Sequence, residues 1–460
     1  MKLNFNSIKD IIYNYKLFLS KKISIKGWVK HFRSNCFIII SDGSTIKNIQ
    51  IYVDKHNCFY SFLNKINIGV SLEVIGVVVF SKGKKQIIEI YANKINIYGS
   101  FNPEDLQNTI LQPKEHSFKK LREQAYLRFR TTIFSSIMRI RHNISFSIHK
   151  FFYKKKFYYI NTPIITTYDT EGAGDMFRVT NFKNNNNNNN NNLDFFGAST
   201  YLTVSGQLQG EAAASGLGKI YTFGPTFRAE KSNTFRHLSE FWMIEPEISF
   251  YELNNIMSLA EEFLKFIIKY VIKHCYEDLY FLEKKKNIFK ILYSILDFPF
   301  EKISYTNAIK ILKFSKNVKF IYPVIWGADL QSEHEKFLSE HYFNNRPIII
   351  FNYPLKIKPF YMRLNNDNKT VAAMDIIFPY IGEIIGGSQR EERYNVLLKR
   401  MIESNLDTKS LWWYLNIRRF GSVPHSGFGL GFERLIQFIT NISNIKDVIP
   451  FPRYQNHALF

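Results

Sequence analysis

The sequence predicts an α+β protein in two parts: a five-stranded β-barrel at the N-terminus, then a larger domain whose helices flank an antiparallel sheet. Three observations predict it. Short alternating pieces with turn residues between them fill positions 22 to 100, the pattern of small barrel strands. Beyond them, apolar residues spaced by three and four mark long helices. Strand-like runs then return among the helices without regular β-α alternation, which favours an antiparallel sheet over a parallel one.

The bulk properties narrow the class. A chain of 460 residues is long enough for two or three domains with a sizeable core. Hydrophobic residues make up 45% of it, so most of it should fold. The 61 basic and 39 acidic residues leave a net charge of +22, which points to a polyanionic partner, nucleic acid ahead of anionic membrane. The joint excess of Lys, Asn, Ile, Phe and Tyr is also what AT-rich coding produces. Cys36, Cys58 and Cys275 are scattered with no Cys-x-x-Cys pair, which supports neither a disulfide framework nor a zinc site and points to a reducing compartment. No apolar run approaches the roughly 20 residues of a spanning helix. The start, "MKLNFNSIKDIIYNYKLFL", is broken by charge, lacks a small-residue cleavage site and is poor in the Arg and Ser of a transit peptide. A soluble, cytoplasmic protein is expected.

In chain order, "ISIKGWVKHF", "CFIIISDG", "IKNIQIYVD", "VSLEVIGVVVF" and "KQIIEIYANKINIYG" read as the barrel strands, with Asp42-Gly43, Gly69-Val70 and Lys82-Gly83 as turn signals. An oligonucleotide-binding barrel is one of the few common choices of this size. The barrel domain is assigned to 1–105, a polar, proline-containing linker to 106–126, and the second domain to 127–460. That domain should open with a helix from about Leu127 to Phe157. "YINTPIITTYDTEGAGDMF" follows as a strand ending in a Gly-rich turn. Nine asparagines, Asn184 to Asn192, cannot bury a core and read as a disordered surface insertion.

From Glu252, the residues Ile256, Leu259, Phe263, Phe266 and Tyr270 line one face of a helix, with Glu261 and Lys265 paired outside. Ser332 and Glu335 have capping-box spacing and should open another helix. His334-Glu335 is no zinc-protease motif, because Leu338 stands where the second His belongs. Strands "PIIIFNY" and "KTVAAMDIIFP", the Gly-rich "GEIIGGSQREERY", and "HSGFGLGFERLIQF" complete the chain.

Familiar phosphate loops are missing. Neither Lys84 nor Lys219 closes a Walker-type loop, "GLGFER" has Arg434 where a dinucleotide fingerprint needs a glycine, and there is no Gly-x-Ser-x-Gly elbow. A nucleotide would have to be held by side-chain charge. "FRAEKSNTFRH" suits that: Arg228 offers a planar fork for two phosphoryl oxygens. Glu230, two residues on, should share its strand face, where it could accept from an exocyclic amine or oppose a metal ion. Arg236 and His237, after the turn-forming "SNT", could return on a second strand to face Arg228. A salt-bridged hairpin without ligand fits the same spacing. In "GFGLGFERL" the glycines, Gly429 and Gly431 among them, permit close backbone approach. Arg434 then opens an apolar run where a cation opposes the helix dipole unless an anion or a π-face meets it. A glycine-rich helix entry with a surface Arg also fits.

Both stretches resemble signature motifs of the class II aminoacyl-tRNA synthetases, in particular the aspartyl/asparaginyl subgroup. "FGPTFRAEKSNTFRHLSEFWMIEPEISF" looks like motif 2, "GFGLGFERL" like motif 3, and "YINTPIITTYDTEGAGDMF" is similar to the motif 1 region with the amino-acid-binding turn after it. The barrel matches the subgroup's anticodon-binding domain, so the resemblance covers nearly the whole chain and implies a class II catalytic domain after the barrel. It implies that Arg228 holds the amino-acid carboxylate and the α-phosphate of ATP. Glu230, Arg236 and His237 would serve the adenine side and the γ-phosphate, and Phe241 and Arg434 would sandwich the adenine. Arg228 and Arg434 become the catalytic cations. Glu383 would coordinate magnesium, and Glu171 would take the substrate's α-ammonium. Phe37 resembles the aromatic that stacks on a central anticodon base, and Gln50 a base-edge reader; a core Phe fits that spacing equally. A homodimer formed through the motif 1 helix and strand is implied as well.

Side-chain chemistry separates asparagine from aspartate. Aspartyl members place a lysine after a "Ser-Pro-Gln" loop; this chain reads "TVSGQLQGEAAA", with Gly206 for the proline, Gly210 at the lysine position and Glu211 after it. An amide presents one acceptor and two donors. Glu211 could accept from its nitrogen while Arg390 donates to its oxygen, and Glu211 would repel a carboxylate. A solvated Glu211 at a helix start is the plain alternative. The implied activity is ATP-dependent ligation of asparagine to tRNA(Asn) through an asparaginyl-adenylate. An aspartyl enzyme is the near alternative, a synthetase-like binding protein a more distant one, and ammonia-dependent asparagine synthesis is disfavoured by the barrel. Lys231, Phe235 and Gly386 depart from the subgroup's pattern.

Overall fold

The computed structural model describes residues 6–56, 63, 65–84, 86–168, 175–181, 194–283, 287–315 and 318–460. The chain divides into two compact units, Met1–Arg139 with Phe460, and Ile140–Leu459.

The first unit is a closed barrel of β1 (Lys22–Arg33), β2 (Phe37–Ser41), β3 (Ile49–Tyr52), β4 (Ser71–Phe80) and β5 (Ile88–Gly99), in the order β1-β2-β3-β5-β4. Strict alternation drives it. Ile38, Ile40, Ile49, Ile51, Val74, Val78 and Ile90 point inward and are fully or almost fully buried, while the residues between them face out. Part of the expected linker is ordered, with a 3₁₀ turn over Pro103–Asn108 and a short helix over Phe118–Glu123.

The long helix expected from Leu127 is α1 (Thr132–Lys154); Ala125–Arg128 forms a separate short turn before it. The second unit is built on an eight-stranded sheet. In chain order its strands are β6 (Tyr158–Tyr159), β7 (Lys219–Phe227), β8 (Glu240–Ser249), β9 (Glu301–Ser304), β10 (Ile348–Pro354), β11 (Thr370–Phe378), β12 (Gly382–Gln389) and β13 (His425–Gly431). Their spatial order is β9-β10-β11-β12-β13-β8-β7-β6. The central pairs are antiparallel, as expected, but the two edge pairs, β9 with β10 and β7 with β6, are parallel.

Helix α2 (Gln207–Leu217) packs on β7 and β8, and α3 (Leu253–His274) packs on β11, β12 and β13. The predicted face of α3 is buried at Ile256, Leu259 and Phe263, and Glu261 pairs with Lys265 at 2.8 Å. Helix α4 (Ser332–Lys336) starts where expected with a different cap: Gln331 is the N-cap and exchanges its capping bonds with His334, so the box sits one residue earlier than Ser332–Glu335. Helices α5 (Trp412–Ile417) and α6 (Phe432–Thr440) flank β13 in sequence. The Gly-rich turn of the motif 1 region and the asparagine tract lie outside the described residues. Cys36 and Cys275 are both buried. Among the described residues no helix is long and apolar enough to cross a membrane.

Candidate active site

The strand register explains why one face of the sheet can hold a ligand. Met243 pairs with Gly431, Glu247 with Gly427, Gly386 with Gly429, and Asp375 with Gly386. Pleating puts Phe241, Met243, Glu245 and Glu247 of β8 on one face with Gly427, Gly429 and Gly431 of β13. The glycines leave that face bare in the middle, bordered by acidic and apolar side chains. "GFGLGF" is therefore strand up to Gly431, the N-cap of α6, rather than a glycine-rich helix entry.

A cavity of about 250 Å³ lies at one end of this bed, lined by Arg228, Glu230, Arg236, His237, Phe241, Glu383, Gly429, Gly431 and Arg434 among others. Every residue expected at the nucleotide is in that lining. Their backbone setting differs from the expectation. β7 ends at Phe227 and β8 starts at Glu240, so Arg228, Glu230, Arg236 and His237 ride on the connecting loop instead of on paired strands. Phe227 and Phe241 lie at the facing ends of those strands, and Phe235 is an exposed residue of the loop. Arg228 and Glu230 are 3.8 Å apart and partly exposed, and the Arg228 guanidinium lies 5.5 Å from the Phe241 ring centre. His237 Nδ1 is held by Thr234 Oγ1 at 2.6 Å and Ser232 Oγ at 2.9 Å. Arg434 Nη1 donates to the Glu383 carbonyl at 2.9 Å. Its neighbour Glu433 is buried and turned away, bound to Arg141 at 2.7 Å and to the Trp242 N–H at 2.9 Å.

Near Glu383 sit two carboxylates that the sequence did not single out for the site, Asp375 and Glu335. A Cβ on Gly386 would stand 3.1 Å from Glu383 Oε1 and 3.6 Å from Asp375 Oδ1, so both acids converge over that glycine. Burial and the Asp375 charge push the Glu383 carboxyl up, against Lys358, Arg434 and Arg228. Burial, with Glu383 and Asp375, pushes Glu335 up to about 7. Burial lowers Lys358, but Asp375 at 2.6 Å more than offsets it. Among the described residues no three His, Cys, Asp or Glu side chains form a metal site alone. Two carboxylates over a bare glycine suit a divalent cation that takes its remaining oxygens from phosphates.

The cluster around Glu211 and Arg390, expected at the amino acid, is buried. Glu211, on α2, is 1% exposed, which removes the solvated helix-start alternative. Its carboxylate accepts from Gln207 Nε2 at 3.0 Å, Tyr414 Oη at 2.9 Å and Arg418 Nη2 at 2.5 Å, and lies 3.0 Å from His425 Nε2. Arg390 does come near, with Nε 3.9 Å from Glu211 Oε1, but its close bonds go to Glu247, at 2.5 and 3.2 Å, and to Ser388 Oγ at 2.9 Å. Burial would raise Glu211, yet Arg418, His425 and Arg390 hold it well below the usual carboxylate range. Burial and the Glu211 charge push Glu247 up, with Arg390 opposing. Glu247, Tyr414, Arg418 and His425 were missed. The signal for Glu247 was present in "EPE", where acids alternate with apolar residues in a strand. Glu171 lies outside the described residues.

On the barrel, Phe37 and Gln50 face outward, opposite to the isoleucines of the core, which disposes of the core-Phe reading. Phe37, Tyr52 and Tyr91 form a row with ring centres 5.5 and 5.7 Å apart, and Gln50 Nε2 donates to Glu89 Oε2 at 2.7 Å. Tyr52, Tyr91 and Glu89 had not been identified.

Two family models match: tRNA synthetases class II (D, K and N) over residues 118–455, and an OB-fold nucleic acid binding domain over 23–98. The asparagine–tRNA ligase of Azobacteroides pseudotrichonymphae is 51% identical over 452 residues, 96% of each chain. That of Protochlamydia amoebophila is 49% identical over the full length of both. Among solved structures, asparaginyl-tRNA synthetase from Pyrococcus horikoshii complexed with asparaginyl-adenylate superposes with a TM-score of 0.86 at 30% identity, covering 98% of this chain and 99% of that one.

Proposed function

The chain belongs to the class II tRNA synthetases of the D, K and N group, and on that premise we propose how its residues carry out the ligation of asparagine. It joins L-asparagine to tRNA(Asn) at the expense of ATP, through an asparaginyl-adenylate. One observation carries the residue assignment: Arg228, Glu230, Arg236, His237, Phe241, Glu383 and Arg434 line one cavity beside the buried Glu211–Arg390 cluster.

In the first step the asparagine α-carboxylate attacks the α-phosphorus, and the bond to pyrophosphate breaks. No proton has to be removed, so the protein's task is to position and to supply positive charge. Arg228 holds the carboxylate and an α-phosphoryl oxygen, and stabilises charge that builds in the transition state. Phe241 and Arg434 clasp the adenine, and Glu230, Arg236 and His237 fix the remaining nucleotide. Glu383, with Asp375, would hold magnesium, whose charge would offset that of the phosphates. Glu211 accepts from the amide nitrogen and Arg390 donates to its oxygen; Glu171 takes the α-ammonium. In the second step the terminal ribose of the tRNA attacks the acyl carbon and releases AMP.

The barrel, within 1–105, reads the anticodon with Phe37 and Gln50, joined by the linker 106–126 to a catalytic domain over 127–460. The working form is a homodimer through the motif 1 face, where Tyr158, Tyr159, Ile164 and Trp242 are 58, 47, 43 and 36% exposed. Its place is the cytoplasm. The test is exchange of pyrophosphate into ATP with asparagine and aspartate supplied separately. Exchange with asparagine alone is expected; exchange with aspartate alone would overturn the pocket assignment.

A further inference from the structure

The mechanism leaves Arg418, a buried cation beside Glu211, without a task. Arg418 follows α5 and is 5% exposed. Its Nε donates to the Glu391 carbonyl at 3.0 Å, its Nη2 to Glu211 at 2.5 Å and to Tyr414 Oη at 2.9 Å, and its guanidinium lies 4.1 Å from the Tyr414 ring centre. Its Nη1 is buried and has no hydrogen-bond partner among the described residues. A cation so enclosed is costly unless its charge is used.

We propose that Arg418, aided by Tyr414 and His425, is a positioning group for substrate choice: it keeps Glu211 a fixed hydrogen-bond acceptor, so that the pocket takes the amide of asparagine and refuses aspartate. This rests on the reading of Glu211 as the group that meets the amide nitrogen. A carboxyl this deeply enclosed and left without cations takes up a proton. Once protonated it becomes a donor. A donor at that place loses the amide N–H and welcomes a carboxylate oxygen, so the selectivity would invert. Charge counting agrees. Aspartate would bring a second carboxylate against Glu211, and asparagine would not.

The groups that face Glu211 come from every neighbouring element. They are Gln207 on α2, Tyr414 on α5, Arg418 after it, His425 on β13, Arg390 after β12, and Glu247 on β8 beyond Arg390. Gln207 does not titrate, and Glu247 and His425 are common to wild type and variants. Arg418 Nη2 also lies 3.3 Å from His425 Nε2, so a change in pH profile on altering Arg418 reports on the Glu211–His425 pair, and its loss in Glu211→Gln assigns it to Glu211.

The experiment measures asparagine- and aspartate-dependent pyrophosphate exchange by the full chain from pH 6 to 8.5, for wild type, Arg418→Met, Arg418→Lys, Tyr414→Phe and Glu211→Gln. For Arg418→Met the KM for asparagine should rise about tenfold or more with kcat nearly unchanged. The asparagine-to-aspartate ratio should then fall further as the pH drops. Arg418→Lys should restore most of both. Tyr414→Phe should shift the ratio in the same direction by less, and it carries the test if Arg418→Met does not fold. A lowered ratio in Glu211→Gln, with wild-type ratios and profiles in both Arg418→Met and Tyr414→Phe, would sink the positioning role and leave the Glu211 reading in place. An unchanged ratio in Glu211→Gln would sink that reading, and the inference with it.

Discussion

The nucleotide end and the amino-acid end of the site share one sheet face and are built on opposite principles. At the nucleotide end Arg228 and Glu230 are 31% and 41% exposed and hold each other loosely at 3.8 Å. At the amino-acid end Glu211, Arg390 and Arg418 are almost wholly enclosed, and Glu211 alone draws contacts from four side chains at 3.0 Å or less. The difference fits the ligands proposed for the two ends. ATP brings its own charge and tolerates water, so side chains on a loop can close on it. Asparagine differs from aspartate by one amide, and only a dry, fixed pattern of donors and acceptors can tell the two apart. Stability and catalysis should therefore separate at the first end and be fused at the second.

The largest test of that separation is Arg228→Ala. It should lower kcat/KM for asparagine-dependent exchange about 10²- to 10³-fold, the usual consequence of removing a donor aimed at developing charge. Its unfolding free energy should stay within about 0.5 kcal/mol of wild type, because the side chain is partly exposed and its pair with Glu230 is a partly exposed one. A large loss of stability in calorimetry would mean that the open end is as tightly built as the closed one.

Glu335 sharpens the comparison through pH. It lies behind the nucleotide cavity, its unfolded carboxyl ionises near pH 4.5, and its folded one is pushed up to about 7. Between those values the unfolded chain binds fewer protons than the folded one, so this group costs stability as the pH rises from about 4.5 to about 7, and no more above that. Glu335→Gln should therefore stabilise the ligand-free protein by up to about 3 kcal/mol at pH 8, with the gain vanishing near pH 4. Urea unfolding at the two pH values checks it; an equal effect at both would show that the carboxyl is not strained by burial.

The same contrast governs what could be read from the sequence. The cavity was legible because its lining residues come in short runs: "FRAEKSNTFRH" and "GFGLGFER" carry much of it. What failed there was the backbone setting, since Arg236 and His237 were expected on a returning strand and sit on the loop between β7 and β8. Glu211 and Arg390 were picked out by the chemistry that asparagine would demand, and the structure brings them within 3.9 Å of each other. Their partners were not picked out, because Glu247, Tyr414, Arg418 and His425 meet Glu211 and Arg390 only through the fold and share no local pattern with them. The barrel shows the same division. Its strands were evident from alternation, whereas the row from Phe37 through Tyr52 to Tyr91 depends on the parallel pairing of β3 with β5, which alternation does not specify.

The finest comparison uses two glycines on one face of β13. A Cβ on Gly429 would approach Met243 Cε at 2.7 Å, the free end of a flexible chain that can swing aside. A Cβ on Gly427 would run into the Glu247 carboxylate, also a side-chain end, but one pinned twice by Arg390. Gly427→Ala should therefore cost about 1–3 kcal/mol, in the range of overpacking a filled interior. It should also raise the KM for asparagine, because Arg390 moves with its partner. Gly429→Ala should cost less than about 1 kcal/mol and act on the KM for ATP. Equal losses from the two substitutions would mean that Glu247 is as free to yield as Met243, and the amino-acid end would then owe its selectivity to something other than a rigid charge network.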